Sequence, residues 1–95
     1  MTIWSVYLIR CADNSLYTGI TTDVDRRFET HMAGKGAKYL KTRRPFQLVF
    51  SKAVGNRSEA SKLEYAIKQL PKRQKEAIVQ GKLDCLSLLE IEPEA

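Results

Sequence analysis

The sequence predicts an α+β domain: a small three-stranded antiparallel sheet flanked by helices, in the order ββαβαα. Three observations carry this. The run IWSVYLIR is rich in β-branched and aromatic residues, and turn chemistry at Ala12-Asp13-Asn14-Ser15 leads from it into a second short run, as in a hairpin. FQLVFSKAV has the same strand character further on. Around it lie segments whose apolar residues recur at helical spacing. With 95 residues and no repeat or linker, the chain reads as one small domain over residues 1–82, followed by a C-terminal extension over 83–95.

The first strand, Ile3 to Arg10, reads as mostly buried. Alternation puts Ile3, Ser5, Tyr7 and Ile9 on one face and Trp4, Val6 and Leu8 on the other. Leu16 to Ile20 makes the second strand. Thr22 is placed as the N-cap of a first helix from Asp23 to Met32, with Asp23 and Asp25 favoured by the dipole of its first turn. Val24, Phe28 and either His31 or Met32 mark its apolar face, and Gly34 and Gly36 end it. Lys35 to Arg44, KGAKYLKTRR, reads as a basic loop closed by Pro45. Phe46 to Val54 is expected to be the third and central strand, turned by Gly55-Asn56. Ser58 is placed as the cap of a second helix, with Ala60, Leu63, Ala66, Ile67 and Leu70 facing inward. Pro71 suits the first turn of a third, which Gly81 stops. The remainder holds an apolar run, Leu86 to Leu89, suited to packing on its own domain or on another copy, and then an acidic tail expected to fray.

Charge is distributed unevenly. The net formal charge is +5, but Arg26 to Lys75 holds 14 Lys/Arg against three acids (Glu29, Glu59, Glu64), while both ends of the chain are mildly acidic. A basic middle attracts polyanions, phosphate backbones foremost, unless its charges are merely solvated helix faces. No apolar run approaches a membrane span, and MTIWSVYLIR lacks the features of a signal peptide, so the expected location is cytoplasmic. Cys11 and Cys85 lie far apart without metal-ligand spacing and are expected as reduced, partly buried thiols.

Several residues invite two readings. Tyr7 and Tyr17 are either strand tyrosines with hydroxyls reaching solvent or two phenols in one shallow groove. Gly19, inside a strand, marks either a local bend or a close approach of ligand backbone. Arg27 and His31, four apart, share a helix face. They are either a snorkelling arginine and a helix-end histidine, or a guanidinium that clamps phosphate beside an imidazole that handles a proton. Glu64 suits an i, i+4 pair with Lys68, and equally a Mg2+ site that keeps most of its waters.

Taken in order, these residues resemble the GIY-YIG nuclease superfamily, and most of all its small standalone single-domain members. The first signature appears as Ser5-Val6-Tyr7 and the second as Tyr17-Thr18-Gly19. The run from Thr21 to His31 matches the helix bearing the family's Arg and its His/Tyr. Arg57 to Glu64, followed by Ile67-Lys68, matches the helix bearing its metal-binding Glu. Ser5 replaces the Gly of the first signature, Ile20 stands where a basic residue often follows the second, and the Asn common near the domain end has no clear counterpart. The resemblance implies a divalent-metal-dependent endonuclease, structure- or end-directed with little sequence specificity, acting on DNA, with RNA as a further possibility. It implies Glu64 as the ligand of Mg2+ or Mn2+, Arg27 as the stabiliser of charge at phosphorus, and Tyr17 as the group that activates or positions water, helped by Tyr7 and His31. Lys35, Lys38, Lys41, Arg43 and Arg44 in the basic loop, with Lys68, Lys72 and Arg73, are the expected backbone contacts. The alternatives are a catalytically weak nucleic-acid-binding module on the same fold and a basic accessory subunit; on each of these readings the expected state is a monomer or weak dimer.

Overall fold

The computed structural model describes residues 2–90. A three-stranded antiparallel sheet in the order β2-β1-β3 is built from β1 (Trp4–Arg10), β2 (Leu16–Thr21) and β3 (Gln47–Gly55). Four helices complete the domain: α1 (Val24–Met32), α2 (Lys38–Lys41), α3 (Arg57–Lys68) and α4 (Lys72–Val79). A 3-10 helix over Cys85–Glu90 follows. The α+β class and the three-stranded sheet are as expected from the sequence.

The central strand is β1, not the third strand. Val6, Tyr7, Leu8 and Ile9 are buried in succession, as a strand covered on both faces requires. The third strand exposes Gln47, Ser51, Lys52 and Ala53 and lies at an edge. On one face of the sheet, Val6 and Leu8 pack with Leu63 and Ile67 of α3, Ile78 of α4 and Cys85. On the other, Tyr7 and Ile9 pack with Cys11, Leu40 and Phe46, bordered by Tyr17, Val24 and Phe28. Both cysteines are free thiols, and both are fully rather than partly buried.

Local chemistry moves two expected helix caps. Asp23, not Thr22, caps α1, its carboxylate accepting from the Arg26 N–H at 3.1 Å, while its own N–H donates to Thr21 Oγ1. Asn56, not Ser58, caps α3 in a reciprocal capping box with Glu59, which satisfies two N–H groups where a serine two residues later would satisfy neither. His31, not Met32, completes the inner face of α1: His31 is 2% exposed and Met32 49%. The basic segment is not wholly a loop, since Lys38–Lys41 makes one helical turn that buries Leu40. Leu86, Leu88 and Leu89 pack against the α3-side core of their own domain. The acidic tail, residues 91–95, lies outside the described residues. Among the described residues, no helix is long and apolar enough to cross a membrane.

Candidate active site

The antiparallel register sets Tyr7 on β1 directly opposite Gly19 on β2. A Cβ at Gly19 would stand 2.4 Å from the Tyr7 hydroxyl and 2.5 Å from Cζ. The missing Cβ at Gly19 makes room for the phenol of Tyr7, which lies across the bare backbone of its neighbour. That placement carries the hydroxyl to His31 on α1, with 2.9 Å between Tyr7 Oη and His31 Nε2. Tyr7 is 2% exposed, so its hydroxyl does not reach solvent as an ordinary strand tyrosine would.

A backbone contact selects the imidazole tautomer. The N–H of Ala37 donates to His31 Nδ1 at 3.3 Å, so Nδ1 is the acceptor and a neutral ring carries its proton on Nε2. His31 then donates to the Tyr7 oxygen, which leaves the Tyr7 O–H available to donate elsewhere. The neutral form is favoured because burial, and then the charge of Arg27, lower the His31 pKa below its usual range. The backbone approaches this closely only because residue 36 is glycine: a Cβ there would stand 1.9 Å from His31 Nδ1.

The Tyr7 phenol is held protonated. Burial and the proximity of Tyr17 push its pKa up to about 12; Arg27 pulls it down and the Glu64 carboxylate adds a further rise. Side chains from β2, α1 and α3 thus act on one hydroxyl of β1. Tyr17 is half-buried, its ring edge-on to His31 at 5.7 Å and 6.3 Å from that of Tyr7. Arg27 borders a polar cleft of about 280 Å³ with Thr21, Thr22, Asp23, Arg26 and Thr30. Glu64, also half-buried, faces Lys68 one turn on, with 3.3 Å between Oε2 and Nζ.

Among the expected contact residues, Lys35, Lys38, Lys41 and Arg73 are exposed. Lys68 and Lys72 are ion-paired, with Glu64 and Glu76 respectively. Arg43 and Arg44 are tied into the fold. Arg43 pairs with Asp13 at 3.4 Å, lies over the Tyr39 ring at 3.8 Å and donates to the Tyr39 carbonyl; Arg44 donates to the Met32 carbonyl. Three residues not expected as site residues emerge beside the site. They are Gly36 under His31, Tyr39 against Tyr17 at 5.8 Å, and the buried Thr18. The sequence carried a signal at two of them: Thr18 lies inside the second signature, and Gly36 of the GKG triplet read as the end of the first helix, which the structure closes earlier, at Met32.

Residues 3–77 match the GIY-YIG catalytic domain family. A UPF0213 protein of Cronobacter sakazakii is 62% identical over 80 residues, covering 84% of this chain and 84% of its own. The UPF0213 protein YhbQ of Escherichia coli is 61% identical over 79 residues, 83% of this chain and 79% of its own. Among solved structures, the solution structure of a UPF0213 protein from Bacillus halodurans is 49% identical with a TM-score of 0.55, covering 84% of this chain and 85% of that one. A solution structure of a protein from E. faecalis is 35% identical with a TM-score of 0.60, covering 100% of this chain and 96% of that one.

Proposed function

Because this chain belongs to the GIY-YIG catalytic domain family, we propose that it is a divalent-metal-dependent phosphodiester hydrolase that cuts DNA as a structure- or end-directed endonuclease with little sequence specificity. The observation that carries the reading is the convergence on the Tyr7 hydroxyl. His31 donates to it, and Tyr17, Arg27 and Glu64 each shift its proton affinity. A strand tyrosine serving packing alone has no need of a buried imidazole bonded to its oxygen and a glycine opposite that makes room for its ring.

The geometry supports the following roles. At neutral pH Tyr7 is a phenol, raised to about 12, and acts as a hydrogen-bond donor rather than a base. Both nitrogens of His31 are engaged, so the imidazole positions Tyr7 and reinforces its polarity. Tyr17 is left to orient the attacking water. Arg27, at the mouth of its cleft, stabilises charge that develops on the phosphoryl oxygens. The exposed lysines of the 35–41 segment contact the strand backbone without reading bases.

The donor set fits a hard cation that keeps its waters. Among the described residues, no three or more His, Cys, Asp or Glu converge as they would for a dedicated protein cage, and Glu64 is the carboxylate whose charge reaches Tyr7. Glu64 would hold Mg2+ or Mn2+, with substrate phosphate oxygens and water completing the shell. When bound, such an ion supplies Lewis-acid charge at the scissile phosphate.

The test is digestion of single-stranded, nicked and branched DNA and of RNA with Mg2+ or Mn2+, with Glu64→Ala beside the wild type. We expect metal-dependent cutting, lowered by at least about two orders of magnitude in the variant, the scale of losing one preorganised electrostatic contact. Nucleic-acid binding should be retained. The Glu64–Lys68 pair favours one other reading, a binding module in which Glu64 is structural; binding with no cutting on any substrate would support it.

A further inference from the structure

The outer edge of β2 carries a second feature. β2 pairs with β1 alone, and along its other edge runs a groove of about 310 Å³ lined by Leu16, Tyr17, Thr18, Tyr39, Lys68 and Lys75. The lining holds two cations, two aromatic rings and no carboxylate. One wall belongs to the candidate active site, since Tyr17 lies edge-on to His31 and also against Tyr39. On the α3 side of the groove, Lys68 pairs with the proposed metal ligand Glu64 one turn back on the same helix, at 3.3 Å.

The aromatic wall is held from behind. The Tyr39 hydroxyl donates to Ser15 Oγ at 2.9 Å, and Arg43 stacks over the Tyr39 ring while pairing with Asp13 in the β1–β2 turn. Thr18 supplies a separate observation. It is 2% exposed, and its hydroxyl has no hydrogen-bond partner among the described residues. A buried hydroxyl left unpaired costs stability, and it commonly marks a place where a ligand or water completes the bonding.

We propose that this groove holds an unpaired nucleotide of the DNA strand, adjacent to the phosphate that is cut, with Lys68 and Lys75 on its phosphate, the Tyr17–Tyr39 wall against its base and sugar, and the Thr18 hydroxyl bonded to one of its polar atoms. The inference rests on the nuclease reading and adds the substrate class, a strand with single-stranded character beside the cut. A cationic groove lined by aromatic side chains is the combination that binds single strands without reading sequence. A duplex keeps its bases stacked inside, and only a splayed or unpaired nucleotide enters a cleft of this size.

The test is a fluorescence anisotropy titration of the full-length protein in EDTA, with a short labelled DNA strand and a blunt duplex of the same sequence. We expect the wild type to bind the strand about tenfold more tightly than the duplex. Tyr39→Ala and Lys75→Ala should each weaken strand binding about five- to tenfold, the scale of losing one aromatic or phosphate contact, with duplex binding within about twofold. Thr18→Val keeps the side-chain shape and removes the hydroxyl. It should weaken strand binding severalfold while leaving the melting temperature unchanged or raised, a combination that a purely structural role does not produce. Equal affinity of the wild type for strand and duplex overturns the proposal, as do parallel losses on both substrates or strand binding unmoved in all three variants. Since the titration contains no metal, a strand preference lost in the variants stands even if digestion shows no cutting. Cutting accompanied by equal strand and duplex binding sinks the groove and leaves the nuclease reading intact.

Discussion

The two faces of β1 are made from alternate residues of one seven-residue strand, and they are built differently. Toward α3, Val6 and Leu8 are fully buried among Leu63, Ile67, Ile78 and Cys85, and this face is held by apolar burial and dispersion. Toward α1, Tyr7 is as deeply buried, but its neighbours include His31, Tyr17 and the backbone of Gly19, and its hydroxyl is oriented by a directional bond. The first face tolerates exchange among hydrophobic residues of similar volume. The second depends on two missing Cβ atoms and one tautomer. On the proposed function, one strand would thereby separate stability from chemistry at the resolution of its two-residue period.

The largest expected effect breaks the α3 side alone. Leu63→Ala leaves a cavity in the apolar cluster and should destabilise the protein by about 2–5 kcal/mol, read as a lower urea midpoint. Cleavage per folded molecule should stay near wild type; a comparable loss in cleavage would show that the two faces are not separable. A smaller stability change with a larger functional one is expected on the other side. Gly19→Ala drives a Cβ into the Tyr7 phenol and should cost about 1–3 kcal/mol of overpacking. Cleavage should fall about a hundredfold, as displacement of a reacting group by about an ångström does. Retained activity in that variant would mean that the position of Tyr7 is not critical.

The smallest effect sharpens the contrast through pH. His31 is the single histidine, and its folded pKa lies below the ordinary 6.5 because of burial and then Arg27. Below pH 6.5 the unfolded chain therefore binds a proton that the folded chain resists, and stability falls as the pH drops. The carboxylate of Glu76, lowered to about 2 chiefly by its hydrogen bond with Arg10, contributes in a separate window. Its stabilisation is complete above the ordinary 4.5 and is lost as pH falls toward 2. Urea midpoints measured from pH 6.5 down to 4.5, inside the histidine window and above that of Glu76, should decline with falling pH in the wild type and stay flat in His31→Asn. An equal slope in both proteins would remove the assigned role of the buried neutral imidazole.

Much of this was legible in the chain. Strand runs, turn residues and helical periodicity gave the element order, because these are local properties of a few neighbouring residues. The family resemblance carried by Tyr7, Tyr17, Arg27, His31 and Glu64 implied one site. What was misread depended on partners distant in sequence. The third strand looked suited to the centre by composition, yet four consecutive buried residues in β1 mark the covered strand, and that became visible only with both sheet faces in place. Gly36 read as a helix stop, and its contact with His31 Nδ1 requires the 34–37 turn to fold back beneath the ring. For Arg43 and Arg44, expected as phosphate contacts, the fold adds partners that the sequence did not indicate, in the β1–β2 turn and at the end of α1.

The sequence by itself determined which residue types lie on which face of each element, and hence that an apolar core and a set of titratable groups would coexist on one small sheet. The tertiary structure alone decided that the Tyr7 hydroxyl meets His31 Nε2, that Ala37 selects the tautomer, and that Thr18 stays without a partner at the edge of a basic groove. Periodicity follows from backbone geometry within one segment, whereas hydrogen-bond direction, burial and pKa depend on groups that only the folded chain brings within a few ångströms of one another.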